Sequence, residues 1–424
     1  MNVTRRQFLG TAAVMGAALT GGSVLTRAQE ALAATSLPSP GSSGIDHVVV
    51  VMMENRSFDH FMGWLPGADG KQAGLSFVDR YGTAHSTYHL TEYASCGHQD
   101  PDHSYEGGRV QLNGGACDGW LRAGEDDPLP IGYYEQADLG FLGKAAPAWT
   151  MCDRYFSAVM AETYPNRLYM HAGQTDRIHN STVTATMPTI WDRLAAAGVS
   201  GKYYYSDIPF LALWGTKYVP IAHPFATFLS DAAAGTLPAV SFIDPRFQDE
   251  ASGSSSDDHP HADIRAGEQF LNQVYSAVTT SPNWSRTLLV VNFDEWGGFY
   301  DHVAPTTAAD VSSSTALRGF RVPALVVSPR ARRGYVAHNV YDHTSVLKAI
   351  EWRWGLSALT PRDSGARNIA EVLDFSATPN LSAPTFALPP FAAAVCTPSA
   401  PSGPEQSEWG DLKTKAIADG WSLP

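Results

Sequence analysis

Short, continuous apolar runs recur along the chain and predict the strands of a buried sheet. Residues 48–53 read Val-Val-Val-Val-Met-Met, and shorter runs occupy residues 239–243, 288–291 and 324–327. A run without polar alternation is typical of a strand buried on both faces, as in a parallel sheet covered by helices. We therefore expect a mostly parallel central sheet.

Helical periodicity lies between and after these runs. Apolar residues recur at three- and four-residue spacing over residues 190–197, 264–278 and 344–354, and more weakly over residues 408–421. Alternating strands and helices predict an α/β fold with helices on both faces of the sheet. We place one large domain at residues 45–375 and a Pro/Ser/Ala-rich C-terminal extension at residues 376–424.

The N-terminal residues have the pattern of an export signal. Arg5-Arg6 form a twin-arginine pair, an apolar run follows, and residues 31–33 offer a small-x-small cleavage step. We predict a twin-arginine signal peptide at residues 1–33 and a linker at residues 34–44, hence an extracellular, periplasmic or cell-envelope location. A membrane anchor is the alternative, but the run is Gly-rich and short for a bilayer.

Charge and cysteine content bound the partners. The formal net charge is −13 at pH 7, which argues against nucleic acid, because binding a phosphate backbone needs a basic face. Phosphate-containing substrates stay compatible, since a bound cation inverts the local field. The four cysteines are too few for a disulfide scaffold, and Cys96–Cys117 is the expected local pair. The oligomeric state is left open.

Two acidic pairs each follow an apolar run directly. Glu54-Asn55 follows the first run, and Asp294-Glu295 follows the third. Because ligands bind outside the carboxyl ends of strands in open α/β sheets, we expect the two loops to converge. Three carboxylates and an amide oxygen are hard ligands that suit Ca²⁺, Mg²⁺ or Mn²⁺. Ordinary turn and capping residues are the alternative for either pair alone.

A threonine stands where a helix is predicted to begin. Thr163 precedes Pro165 and a periodic stretch, so plain capping explains it. The functional alternative is a nucleophilic hydroxyl activated by a base or a metal. The helix N-terminus would attract a phosphoryl anion, and Arg167, one turn on, could bind a phosphate oxygen.

Six histidines lie near acids or prolines, five of them in loops and His343 at the predicted start of a helix. Imidazole can protonate a leaving oxygen and relieve phosphoryl charge near neutral pH, although a lone loop histidine is more often a surface residue. The sequence does not rank the six, which are His98, His103, His259, His261, His302 and His343.

These segments together resemble the bacterial phospholipase C/acid phosphatase family of phosphoesterases. Residues 45–60 resemble the first signature of that family, and residues 293–303 resemble its late signature. Thr163 with Pro165-Asn166-Arg167 matches the nucleophile segment, and residues 258–268 and 342–345 match two further blocks. The resemblance covers residues 45–356.

The resemblance implies an alkaline-phosphatase-like α/β sandwich and makes residues 45–375 a phosphoesterase catalytic domain. His103 and His259 match the family histidines that contact the phosphoryl group, and we add His302 as catalytic. Another family histidine has no counterpart, and tyrosines at residues 203–205 stand in its region. We expect Arg167 and His343 to bind substrate. One divalent metal would be held by Glu54, Asn55, Thr163, Asp294 and Glu295.

The predicted activity is a secreted, metal-dependent phospholipase C. Thr163 would attack the phosphorus of a phospholipid at a membrane surface, His259 would protonate the leaving diacylglycerol, and water would hydrolyse the phosphothreonine intermediate. An acid phosphatase for soluble phosphomonoesters is the near alternative. A sulfatase-like hydrolase and an inactive secreted binding protein are more distant ones. The aromatics near Trp120, Tyr133-Tyr134 and Trp149 would favour lipid if exposed, but aromatic residues at such density are more often core.

Overall fold

The structure is a computed structural model, and it describes residues 37–396 and 404–424. The predicted signal peptide at residues 1–33 lies outside the described residues. The strands are β1 His47–Met53, β2 Ser76–Val78, β3 Ala84–Ser86, β4 Tyr88–His89, β5 Gly132–Tyr133, β6 Thr150–Cys152, β7 Tyr155–Phe156, β8 Gly201–Tyr205, β9 Ala222–Pro224, β10 Val240–Asp244, β11 Thr287–Phe293, β12 Ala324–Val327, β13 Tyr335–Ala337 and β14 Tyr341–Asp342. The α-helices are α1 Phe58–Met62, α2 Tyr105–Leu112, α3 Leu142–Ala145, α4 Thr163–Ala172, α5 Ile190–Ala196, α6 Phe225–Ala234, α7 Ile264–Thr280, α8 His343–Trp354, α9 Pro361–Gly365 and α10 Pro404–Ala418.

An eight-stranded sheet forms the centre of the fold, in the order β13-β6-β12-β11-β1-β10-β8-β9. Only β12 runs antiparallel to its two neighbours in this sheet. Strands β1, β10 and β11 are buried along almost their whole length, which explains their continuous apolar sequences. The predicted mostly parallel α/β sheet is confirmed, and the four apolar runs each form one of its strands.

The C-terminal residues contribute to the same apolar core. Helix α10 places Trp409, Leu412 and Ala416 in the cluster that contains β1, β10 and β11. Trp409 stacks on Phe247 with ring centroids 3.9 Å apart. The segment predicted as an extension therefore packs against the sheet-containing body. No described helix is long and apolar enough to cross a membrane.

The disulfide corrects the expected local pairing of Cys96 with Cys117. Cys96 pairs with Cys396, 300 residues away, while Cys117 is a buried free thiol whose pKa is raised to about 12 by burial. Cys117 packs with Trp120 and Trp296 in a separate apolar cluster. The local pairing is wrong because the C-terminal tail, which carries Cys396, folds back to Cys96.

Candidate active site

The two acidic pairs lie side by side at one edge of the sheet. Strands β1 and β11 are parallel neighbours, and their last residues, Met53 and Phe293, are in register. The amide of Asp294 donates to the carbonyl oxygen of Met53 at 3.1 Å. All four side chains of the pairs are fully buried. The structure thus brings together the residues for which the sequence predicts convergence, which are Glu54, Asn55, Asp294 and Glu295.

Two glycines allow the surrounding loops to approach. Gly297 and Gly298 have φ values of +63° and +69°, a conformation that favours glycine. A Cβ at Gly297 would lie 2.0 Å from the carbonyl oxygen of Asn55, and one at Gly298 would lie 2.7 Å from Pro101. The turn after β11 therefore touches both the loop after β1 and the loop that carries His103.

Arg167 joins three carboxylates beneath the site. Its guanidinium nitrogens each lie 3.1 Å from an oxygen of Glu54, Asp244 or Asp294, and the side chain is almost completely buried. Burial alone would lower the pKa of this guanidinium, but the three carboxylates raise it. Since the guanidinium is directed at the acidic side chains, its geometry favours a role in holding these side chains in place. The predicted contact of Arg167 with substrate stays a prediction.

Thr163 is the first residue of α4, one helical turn before Arg167. Residues four apart lie on the same face of a helix, so its side chain is on the face that meets Glu54 and Asp294. The preceding loop is fixed by Asn166, whose amide accepts from the Val159 backbone at 2.9 Å and donates to the Ala161 carbonyl at 2.7 Å. The structure therefore has Thr163 at the helix N-terminus, as the sequence predicts, and shows that its side chain is fully buried.

The donor set fits a hard divalent cation. Asn55 is fully buried, and neither Oδ1 nor Nδ2 has a hydrogen-bond partner within the described part of the chain. A buried amide without partners costs about 1–3 kcal/mol, so it calls for an occupant. The Asn55 amide oxygen and the buried carboxylates of Glu54, Asp294 and Glu295 are oxygen ligands of the kind suited to Ca²⁺, Mg²⁺ or Mn²⁺.

Among the described residues, two groups of three acidic or histidine side chains have ligand atoms within 4.8 Å of one another. Glu54, Asp294 and Glu295 do not form such a group. One is Asp59–Asp301–His302, where Arg321 already pairs with both carboxylates. The other is Asp100–His103–His259. The structure therefore contains two groups of acidic and histidine side chains that could hold a metal, in addition to the oxygen ligands that the sequence predicts.

His103 and His259 face each other, with ring centroids 5.9 Å apart. Both are almost completely buried. Nδ1 of His103 lies 2.7 Å from the Pro101 carbonyl oxygen, which accepts its hydrogen and leaves Nε2 for another partner. Their loops are tied to the acidic pairs, because the Glu54 amide donates to the Asp257 carbonyl at 2.7 Å. The two family-matched histidines are thus brought together.

His343 lies directly behind Asp294. Its Nε2 donates to the Asp294 carbonyl at 2.6 Å, and its Nδ1 accepts from the Tyr155 hydroxyl at 3.2 Å. Burial lowers the pKa of His343 to about 4, so the ring is neutral at pH 7. With both nitrogens engaged, His343 is placed to orient the Asp294-Glu295 loop, and its predicted contact with substrate stays a prediction.

His302 belongs to a different cluster. Nδ1 lies 2.5 Å from Asp59 and Nε2 lies 3.1 Å from Asp69. Burial alone would lower the pKa of His302, but the hydrogen bond to Asp59 raises it. Because these contacts join the loop after β11 to the start of α1, they favour a structural role for His302, and its predicted catalytic role stays a prediction.

The sequence interpretation missed Asp244, Asp100 and Glu250. Asp244 ends an apolar run as the two acidic pairs do, so the same rule could have found it. Tyr203, in the region where a family histidine was expected, donates its hydroxyl hydrogen to Asp244. Burial raises the pKa of Asp244 to about 6, against the opposing effect of Arg167. Glu250 lies 3.2 Å from Nδ1 of His259. No local sequence pattern indicates this contact, because it arises only in the folded chain.

Comparison with known proteins agrees with this geometry. Residues 45–357 match the Phosphoesterase family. Non-specific phospholipase C6 of Arabidopsis thaliana is 30% identical over 394 residues, which cover 81% of this chain and 74% of that protein. Phospholipase C B of Mycobacterium tuberculosis is 30% identical over 473 residues, which cover 91% of this chain and 88% of that protein.

Among solved structures, a protein in the alkaline phosphatase superfamily from Vibrio parahaemolyticus is similar with a TM-score of 0.38 and 10% identity, covering 84% of this chain and 90% of that one. The family match spans most of the chain, including both acidic pairs, Thr163, His103 and His259. The chain belongs to the Phosphoesterase family and is a hydrolase acting on phosphoric ester bonds.

Proposed function

We propose that the protein is an exported, metal-dependent phospholipase C that releases diacylglycerol from a phospholipid. The observation that carries the proposal is the meeting of two buried acidic strand ends with the N-terminus of α4, where Thr163 lies. Relatives named phospholipase C, matched over most of their length, support the substrate class.

One divalent cation would be held by Glu54, Asn55, Asp294, Glu295 and the hydroxyl of Thr163. Such a cation supplies a lowered hydroxyl pKa and charge stabilisation at a phosphoryl oxygen. Arg167 and His343 keep the carboxylates and the Asp294 loop in position by the contacts described above. The Asn55 side chain, buried without a protein partner among the described residues, supports this ligand set.

Thr163 is the proposed nucleophile. Its oxygen attacks phosphorus, diacylglycerol leaves, and the phosphorylated headgroup stays on Thr163 until water hydrolyses the phosphothreonine ester. The N-terminus of α4 favours the anionic group. His259 protonates the departing oxygen, and His103 relieves charge on the phosphoryl group.

An acid phosphatase acting on soluble phosphomonoesters is the second candidate. The aromatic residues that would have favoured lipid if exposed are core residues, since Trp120, Tyr134 and Trp149 are fully buried. Lipid contact must therefore come from other side chains. One candidate is Tyr81, 73% exposed at the tip of the β2–β3 hairpin. Its neighbour Arg80 contacts Gly124, which packs on Asp102 beside His103.

Export through the twin-arginine route is part of the proposal. The Arg5-Arg6 pattern motivates it, and the Cys96–Cys396 disulfide supports an oxidising compartment. Fusing residues 1–33 to a reporter that folds before export should carry it out of the cytoplasm. The same fusion with Arg5→Lys and Arg6→Lys should leave the reporter in the cytoplasm. Export of that variant would contradict the twin-arginine route.

The decisive comparison uses phosphatidylcholine and a soluble aryl phosphate monoester, each with and without chelator. We expect hydrolysis of the diester, its loss after prolonged chelation, and its recovery with Ca²⁺, Mg²⁺ or Mn²⁺. Hydrolysis of the monoester alone would contradict the phospholipase proposal and favour the acid phosphatase. Full activity in metal-free protein, verified by metal analysis, would contradict the ligand set.

A further inference from the structure

The ring of His259 lies between two buried carboxylates. Its Nδ1 is 3.2 Å from Oε1 of Glu250, and its Nε2 is 3.6 Å from Oδ2 of Asp100. Glu250 and His259 are 2% and 1% exposed, so solvent does not screen this contact. Another buried carboxylate lies in the same loop, where Oδ1 of Asp257 accepts from the backbone amide of His259 at 3.2 Å.

The two ring nitrogens differ in what they can do. The 3.2 Å separation brings Nδ1 within reach of Glu250, whereas 3.6 Å is too long for a hydrogen bond between Nε2 and Asp100. One nitrogen each of His259 and His103 lies within 4.8 Å of the other and of an Asp100 carboxylate oxygen. A histidine whose Nδ1 is held by a carboxylate presents Nε2 to the reacting atom in a defined tautomer. Glu250 is in the position of that orienting carboxylate.

The tail of the chain holds Glu250 in place. Glu250 begins a short 3-10 helix, Glu250–Ser252, and the Cys396 amide donates to the Ala251 carbonyl at 2.7 Å. Cys396 is bonded to Cys96, four residues before Asp100. The disulfide therefore links the loop that carries Glu250 to the loop that carries Asp100 and His103.

We infer that Glu250 is the positioning residue of His259 and holds Nδ1–H so that Nε2 delivers its proton to the leaving oxygen. The inference rests on the proposed function, in which His259 is the proton donor. The Thr163 hydroxyl proton passes to water, and the Thr163 oxygen forms a bond to phosphorus. The bond from phosphorus to the leaving alcohol breaks, its electron pair stays on the leaving oxygen, and the proton on Nε2 neutralises that oxygen. In the second half a water gives a proton to Nε2, its oxygen bonds to phosphorus, and the departing Thr163 oxygen regains a proton from solvent.

The test exploits the leaving group. A nitrophenolate leaves without protonation, whereas an alkoxide needs the proton. Because both esters leave the same phosphocholine ester on Thr163, only the release of the leaving group in the first turnover separates them. In rapid mixing, Glu250→Gln should lower the rate of this release about 100-fold for a soluble short-chain phosphatidylcholine but by less than about threefold for nitrophenyl phosphocholine. Asp249→Asn is the matched control, because Asp249 forms an exposed ion pair with Arg246, and it should change neither rate.

Wild-type turnover of both esters tests the proposed function separately, and turnover of neither would remove both proposals. Equal losses for the two esters would mean that Glu250 only stabilises the fold, and unchanged rates would mean that it has no role; either result overturns the inference. Glu250→Asp, which keeps the carboxylate, should recover part of the alkyl-ester rate and is the alternative probe if Glu250→Gln does not fold. Metal analysis gives a further check. If His259→Gln binds one transition-metal ion fewer than the wild type, His259 is a metal ligand and the inference about Glu250 is overturned.

Discussion

Arg167→Met removes the guanidinium that compensates three buried carboxylates and keeps an apolar stem of similar length. In the wild type each of Glu54, Asp244 and Asp294 lies 3.1 Å from it, in a site with almost no solvent. Removing one partner of a buried ion pair destabilises by about 3–5 kcal/mol, because the remaining charge is buried without compensation. Methionine can retain the packing against Phe247, whose ring centroid lies 4.6 Å from the guanidinium carbon. We therefore expect a loss of about 3–5 kcal/mol in metal-free protein.

Urea denaturation of chelator-treated protein measures this loss. A divalent cation bound by Glu54 and Asp294 would compensate two of the same charges, so adding Mg²⁺, Ca²⁺ or Mn²⁺ should narrow the difference between variant and wild type. Arg154→Met is the control, since Arg154 pairs with Asp69 at 3.0 Å but both side chains are about 40% exposed; its cost should stay below about 1 kcal/mol. A loss for Arg167→Met no larger than that of the control would refute the reasoning.

Three further predictions concern pH, lipid contact and the tail. Burial raises the pKa of Glu268 from 4.5 to about 7, so the folded chain binds more protons than the unfolded chain between these values. The free energy of unfolding is therefore independent of this group below pH 4.5, falls by about 3 kcal/mol as the pH rises to 7, and stays lower above pH 7. In denaturation curves measured across this range, Glu268→Gln should reduce the decline. An unchanged pH dependence would contradict the assignment. Tyr81→Ser should slow hydrolysis of phosphatidylcholine vesicles but not of a soluble ester, whereas Ile417→Ser, also at an exposed apolar site, should slow neither; equal vesicle rates for Tyr81→Ser and wild type would exclude the hairpin as a lipid contact. Replacing Cys96 and Cys396 by serine should lower the free energy of unfolding by about 2–5 kcal/mol. It should also slow release of the alcohol from phosphatidylcholine more than release of nitrophenolate, as expected for Glu250→Gln. Equal slowing for both esters would show that the tail does not act on His259.

Much of the fold was predictable because burial on both faces leaves a direct mark on sequence. Strands β1 and β11 could be read from their apolar runs, and the acidic pairs follow at the ends where ligands bind in such sheets. The antiparallel direction of β12 was not predictable, since a strand buried on both faces has the same apolar sequence in either direction.

The roles of individual histidines depended on tertiary partners. His259 and His302 both follow acids in loops, and both rings lie between two carboxylates. They differ because the ring of His259 also lies opposite His103, whereas His302 belongs to a separate cluster. Likewise, Arg167 could be placed near Thr163 by helical spacing, but the carboxylates that meet its guanidinium come from three strands. Such contacts are set by how loops pack, for which sequence spacing carries little information.

The central claim is that Thr163 carries the phosphoryl group during turnover, and rapid quenching tests it most directly. After mixing with nitrophenyl phosphocholine, peptide mass spectrometry should find the phosphorylated headgroup on Thr163 in the wild type and in Thr163→Ser at the same position, and none in Thr163→Val or in chelated wild type. A quenched, active enzyme with no modified residue, or with the group on another side chain, would contradict the account.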